Sequence, residues 1–225
     1  SDGTDNNGYP DDILGWDNGG TWGQDDNDPF PKESTPNFSV PSNGTWAHGT
    51  HVAGILSATT DNNLGMASTS FNTRFISVKA SRDGSSTNDP GVADGYQGIL
   101  YAAKAGYYSG CPDCNPFEGD ESPSFAIINN SWGGGGYMTG ENATINTAHN
   151  TYGAIIFSAA GNGEDHIWDE KYEAHYPASY ANGISVCAIG CSGQWGGWAS
   201  YHESVDLASP GESIYSTIIG TGYDS

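Results

Sequence analysis

Residues 153–163 read GAIIFSAAGNG. The run Ala154-Ile155-Ile156-Phe157 is apolar and rich in bulky β-formers, and it is too short for a helix, so it predicts a buried strand. Gly161 and Gly163 flank Asn162 directly after that run. Such punctuation predicts a tight turn with the Asn162 amide pointing outward. Asparagine is an ordinary choice for left-handed turn geometry. It is equally a neutral donor suited to a developing oxyanion.

Working outward, three runs of the same kind recur at 74–80 (RFISVKA), 125–131 (FAIINNS) and 183–189 (GISVCAI). Between them lie the helical stretches 92–106 (VADGYQGILYAAKAG) and 141–153 (ENATINTAHNTYG). Strands that alternate with helices imply a parallel sheet with right-handed crossovers. The expected fold class is therefore α/β, a three-layer α/β/α arrangement around a mainly parallel central sheet. Ligands of such sheets bind outside the carboxyl ends of the strands. Two of the strands run there into glycine-rich turns, Ser131 to Gly136 (SWGGGG) and Ala160 to Gly163.

Residues 46–55, WAHGTHVAGI, place His48 where a glycine- and asparagine-rich loop turns into an apolar helix. The positive end of the helix dipole disfavours the imidazolium, so His48 is suited to act as a neutral base near pH 7. Gly49 and Gly54 are expected to admit close backbone. Val52, Ala53, Ile55 and Leu56 are expected to bury the helix.

Taken in order, HGTHVAG (48–54), SWGG (131–134), AAGN (159–162), YPA (176–178) and SPG (209–211) resemble segments of the subtilisin-like serine proteases. The resemblance extends over essentially all of residues 1–225. It implies a serine endopeptidase in which His48 is the catalytic base and Asn162 the oxyanion donor. Ser131, Trp132, Gly133 and Gly134, with Ala160 and Gly161, would bind an extended peptide and form a wall of the pocket for the residue before the cut. Trp132 stands where the family usually has leucine and can instead serve the core. Residues 84–86 would make the opposite rim. The Tyr176–Pro177 bond can be cis in this family.

No segment matches the family's VAVIDTG aspartate motif before His48 or its GTSMA serine motif after Asn162. The sequence is thus expected to be an internal piece of the catalytic domain, with the aspartate and serine of the triad flanking it. The contrasting expectation is a non-catalytic relative kept as a calcium-dependent extracellular binding module.

Calcium enters through the acidic N-terminal part. Asp2, Asp5, Asp11, Asp12, Asp17, Asp25, Asp26 and Asp28 crowd into residues otherwise rich in Asn, Gly and Pro, expected to be mostly loop. Such a loop is either solvated or bridged by a hard cation. The resemblance assigns Asp17 and Asp28 to calcium. It adds Asp61 and Asn63 from residues 59–67, TTDNNLGMA, as further calcium ligands.

The 6 Lys and Arg against 27 Asp and Glu give a formal charge of −21. That balance argues against nucleic acid and anionic membrane as partners. Protein or peptide substrates, a monomer and a secreted location are expected. Of the 4 cysteines, Cys111 and Cys114 suit a local disulfide or, less readily, half of a zinc site. Cys187 and Cys191 are too far apart to bond if their run stays extended, so a buried free thiol at Cys187 is an equal expectation beside their pairing. His51 is expected to pack rather than to bind metal, while His149, His166, His175 and His202 carry no motif.

Overall fold

The computed structural model describes residues 7–10, 12–19, 25–32, 39–84, 91–163 and 172–225. Asp2, Asp5, Asp11 and His166 lie outside them. The chain forms two compact units, one made of residues 1–11 and 96–212 and the other of residues 12–95 and 213–225.

The larger unit holds a four-stranded parallel sheet in the order β3 (Ile127–Asn130), β4 (Ile155–Ala159), β5 (Ile184–Ile189) and β6 (Leu207–Pro210). Helix α2 (Gly95–Gly110) leads towards β3, and α3 (Thr139–Asn150) crosses from β3 to β4. On α2, Ile99, Ala103 and Tyr107 recur every fourth residue and so share one face. They form one core with Ile145 and Ala148 of α3, Tyr152 and Ala154 beyond it, and Ile128 and Ile156 of the sheet. Ile99, Ile145 and Ile156 are at most 1% exposed. Burying each contributes about 1.5–3 kcal/mol.

The alternating pattern of β3 and β4 turns Asn130 and Ser158 inward alongside Ile128 and Ile156. The two polar residues are register partners, and Asn130 Nδ2 donates to Ser158 Oγ at 3.3 Å. Buried polar groups are thereby satisfied in the sheet itself. Cys111 and Cys114 form a disulfide just beyond α2, whereas Cys187 and Cys191 are free. The expected strands and helices of this unit are all present. Strand β6 comes in addition, at the SPG segment.

The smaller unit contains α1 (His48–Ser57), a parallel pair of β1 (Gly15–Asp17) with β2 (Ser77–Lys79), and a short antiparallel pair of β7 (Ser216–Thr217) with β8 (Tyr223–Asp224). Gly54 is the closely packed point of α1, because a Cβ there would lie 2.4 Å from both the Ser216 and Thr217 hydroxyl oxygens. Those hydroxyls donate to the His51 and Thr50 carbonyls at 2.6 and 2.9 Å. Gly49, by contrast, faces open space, and Leu56 is exposed. The apolar side of α1 is half-buried within this unit rather than fully covered.

Strand β1 departs from the loop expected there. Three residues offer too little alternation to be read as a strand, but Trp16, Asp17 and Asn18 are all buried. A partner 62 residues away accounts for it: Lys79 Nζ meets Asp17 Oδ2 at 2.7 Å, and the Lys79 carbonyl accepts from Asn18 N at 2.8 Å. Burial pushes the Asp17 carboxyl above its ordinary value, and the lysines beside it draw it partly back. Removing one partner of a buried ion pair leaves an uncompensated charge, at about 3–5 kcal/mol. Lys79→Met should therefore lower unfolding stability by roughly that amount. Urea denaturation at pH 7 measures it, and a near-zero loss would show that the pair does not hold β1 to β2.

Candidate active site

In the smaller unit a single 3-10 turn, Gly44–Ala47, delivers the chain into α1, and its Trp46 and Ala47 are buried. His48 is the first residue of the helix and Ala47 its cap, with no side-chain capping bond. The anchored residues before it hold the backbone, and His48 keeps solvent contact while the surrounding protein shields it in part. Desolvation by the protein around it, with the neighbouring His51, lowers the proton affinity of His48 below that of an ordinary histidine. The free N–H groups of the helix start act in the same direction. His51 turns the other way, its Nε2 lying 3.3 Å from the Asp224 carbonyl oxygen.

The larger unit brings the two glycine turns together. In-register pairing of β3 with β4 ends at Asn130 opposite Ser158, so Ser131–Gly134 and Ala160–Asn162 leave the sheet side by side. Ala160 is buried and its N–H donates to the Val186 carbonyl at 2.9 Å. Gly161 has φ +114°, a conformation that disfavours any side chain, and its carbonyl accepts from Ser200 N at 2.8 Å. Asn162 follows, exposed, and its amide makes no side-chain hydrogen bond among the described residues. A donor held on a braced turn and not otherwise engaged is the arrangement an oxyanion site requires.

On the other turn, Gly134 N donates to the Tyr176 carbonyl at 2.9 Å. Asn129 Nδ2 donates to Ser131 Oγ at 2.9 Å. Trp132 meets Tyr96 edge-to-face at 5.3 Å and packs against the hydrophobic core. Trp132 thus serves the core.

His175, which no sequence motif singled out, joins the two turns. A Cβ on Gly133 would lie 2.7 Å from the His175 ring, and one on Gly161 3.2 Å from it. The His175 N–H donates to Ser179 Oγ at 3.0 Å, and Ser179, Ser204 and His202 continue a hydrogen-bonded chain at 2.7 Å per step. The usable signal was its place directly before Tyr176-Pro177-Ala178; the Tyr176–Pro177 bond is cis. Gly135, Gly136, Glu173, Ala174 and His175 line a cavity of about 330 Å³. Of the rim at 84–86, residues 85 and 86 lie outside the described residues.

At the acidic segment, ammonium groups meet the carboxylates. Asp17 Oδ2 lies 2.7 Å from Lys79 Nζ and 3.9 Å from Lys32 Nζ, and Asp28 Oδ2 is 3.6 Å from Lys32 Nζ. A carboxylate pair already neutralised by lysines is a poor donor set for calcium. Asp61 and Asn63, both at φ +56°, lie in an exposed turn. Among the described residues, no group of three or more His, Cys, Asp or Glu is disposed to hold a metal.

Residues 17–225 match the Subtilase family. A thermophilic serine proteinase from Bacillus sp. (strain AK1) is 34% identical over 177 residues, 78% of this chain and 37% of that protein. Thermitase from Thermoactinomyces vulgaris is 32% identical, covering 84% of this chain and 57% of thermitase. An extracellular protease of Xanthomonas campestris pv. campestris is 33% identical over 80% of this chain and 28% of its own length. The chain therefore spans from about a quarter to just over half of these relatives. Among solved structures, a protease of Pseudoalteromonas arctica superposes with a TM-score of 0.63 at 25% identity, covering 93% of this chain and 65% of that one. A psychrophilic subtilisin-like protease of an Antarctic Pseudoalteromonas gives 0.56 at 25% identity over 88% of this chain and 37% of the other. The family match, the ordered motifs and the α/β fold agree: this chain belongs to the subtilase family.

Proposed function

We propose that residues 1–225 supply the general base and the oxyanion donor of a secreted serine endopeptidase whose serine and aspartate lie outside them. The observation that carries the reading is Asn162, an unengaged amide presented by a braced glycine turn at the carboxyl end of β4, in a subtilase chain that also opens a helix with His48.

In this reading His48 takes the proton from the serine hydroxyl as it attacks the peptide carbonyl, then returns it to the leaving amine. A carboxylate from the flanking sequence orients the ring. The Asn162 amide donates to the oxygen that becomes negative in the tetrahedral intermediate. Backbone groups of Ser131–Gly134 and of Ala160–Gly161 pair with the extended substrate, an interaction that is indifferent to sequence and leaves selectivity to side-chain pockets. Trp132 takes part through its backbone, its ring being engaged with Tyr96.

The names of the extracellular relatives support secretion. The charge of −21 favours cationic or neutral partners over nucleic acid and anionic lipid, and among the described residues no helix is long and apolar enough to cross a membrane. A monomer acting on protein substrates fits this reading. Calcium belongs to it as a structural ion at the Asp61–Asn63 turn, where no lysine among the described residues makes an ion pair. At Asp17 and Asp28 the lysines take the role a cation would have.

In the full-length protein, His48→Ala should lower kcat by about 10⁴-fold or more without unfolding the chain. Undiminished peptidase activity would sink the proposal, and labelling by a serine-directed phosphonate checks the nucleophile independently. Asn162→Ala should lower kcat by about a hundred- to a thousandfold with KM little changed, the range found for a subtilisin oxyanion donor. His51 contributes to the low proton affinity of His48. His51→Gln should therefore raise the pH at which His48 deprotonates. Because the neutral ring is the active form, the acid limb of the kcat/KM profile should move to higher pH; a shift the other way would contradict the His48–His51 coupling.

A further inference from the structure

Five Asn-Gly pairs occur in the chain, beginning at Asn7, Asn18, Asn43, Asn162 and Asn182. A glycine after asparagine leaves the following backbone nitrogen unshielded by any Cβ, so that nitrogen can attack the carbon of the side-chain amide. Folding closes this route wherever the amide or the nitrogen is held in a hydrogen bond.

Three of the pairs are held. Asn7 is 3% exposed, and its Oδ1 accepts from Tyr9 N at 2.8 Å. Asn18 is 2% exposed, and Gly19 N donates to Asp17 Oδ1 at 2.8 Å. Asn182 Nδ2 donates to Asn146 Oδ1 at 2.8 Å, and Gly183 N donates to the Tyr180 carbonyl at 2.9 Å. Asn43 and Asn162 differ: both are exposed, and neither side chain makes a hydrogen bond among the described residues. Gly163 N is likewise unengaged among them. Gly163 itself is buried, so the neighbouring Asn162 side chain, rather than solvent, is the group placed to reach its nitrogen. The freedom that suits Asn162 to donate to an oxyanion is the freedom that cyclisation needs.

We propose that Asn162 is a site of spontaneous deamidation through Gly163, and that the change inactivates the peptidase. The Gly163 nitrogen forms a bond to Asn162 Cγ and gives up its proton, while the Cγ–Nδ2 bond breaks and the amide nitrogen leaves as ammonia. Water then opens the cyclic imide at one of its two carbonyls, giving aspartate or isoaspartate. Nothing is oxidised or reduced. The product is a carboxylate, which accepts hydrogen bonds and donates none, at the point where negative charge would develop on the substrate. The loss of activity rests on the peptidase reading, whereas the chemistry of the Asn-Gly pair does not.

The test incubates full-length His48→Ala protein, in which the proposed peptidase cannot digest itself, in mildly acidic and mildly alkaline buffer and maps its peptides by mass. Asn162 should gain the mass difference between amide and acid, with release of ammonia, and should do so faster in alkali. Asn43 serves as the exposed standard, while Asn7, Asn18 and Asn182 should stay intact. Gly163 holds no positive φ, so alanine suits its backbone, and Gly163→Ala should slow conversion of Asn162 at least severalfold while Asn43 converts as before. In the wild type, kcat should fall in step with the conversion by about a hundred- to a thousandfold, towards that of Asn162→Asp. An Asn162 that keeps its amide, a conversion that Gly163→Ala does not slow, or a conversion that leaves activity undiminished overturns the inference. Activity that persists with Asn162 intact removes the deamidation and leaves the peptidase. Conversion of Asn162 in a wild type that shows no activity even when fresh removes the peptidase reading and leaves the deamidation.

Discussion

The in-register parallel pairing of β3 with β4 is the constraint on which the larger unit depends. Parallel strands send their carboxyl ends to the same edge, so whatever follows them in sequence must meet in space. With Asn130 opposite Ser158, the glycine turns that follow are neighbours although about thirty residues separate them. Asn130 and Ser158 also hydrogen-bond to each other inside the sheet. A slip of one residue would turn the displaced strand's side chains to the other face, separate Asn130 from Ser158 and break the alignment of the turns.

Glycine at 133 and 161 follows from the same crowding. A Cβ at 133 would lie 2.7 Å from the His175 ring, and one at 161 would lie 2.7 Å from Ser200 Oγ and 3.2 Å from that ring. The two turns are therefore closely packed at Gly133 and Gly161. The same economy appears in the smaller unit, where Gly54 lets the hydroxyls of Ser216 and Thr217 reach the Thr50 and His51 carbonyls. That clasp steadies the first turns of the helix that presents His48.

Electrostatics divides the acidic residues by their surroundings. Asp17 is fully buried and meets two lysines, while Asp61 and Glu173 are exposed and, among the described residues, pair with none. A buried carboxylate without a partner would be costly, whereas an exposed one remains available to a ligand. Of the six basic residues in the chain, two are committed to one acidic cluster, and much of the remaining negative charge faces solvent.

Local pattern was enough to read the buried strands at 127–130, 155–159 and 184–189, helices α2 and α3, and the start of α1 at His48, because each carries its own periodicity or its own turn residues. It also singled out Asn162, whose flanking glycines declare a turn on the page. Strand β1 was not legible, since its three residues owe their conformation to Lys79, far along the chain, and no short-range signal announces such a pairing. His175 was silent for a similar reason: a histidine before a proline turn says nothing until folding lays its ring on Gly133 and Gly161. The sequence by itself determined the parallel α/β alternation, the family and the two residues that carry the proposed chemistry. Only the tertiary structure decided that lysines meet Asp17, that Trp132 belongs to the core, and that Glu173 and His175 share a cavity, because burial and long-range contact are properties of the folded chain.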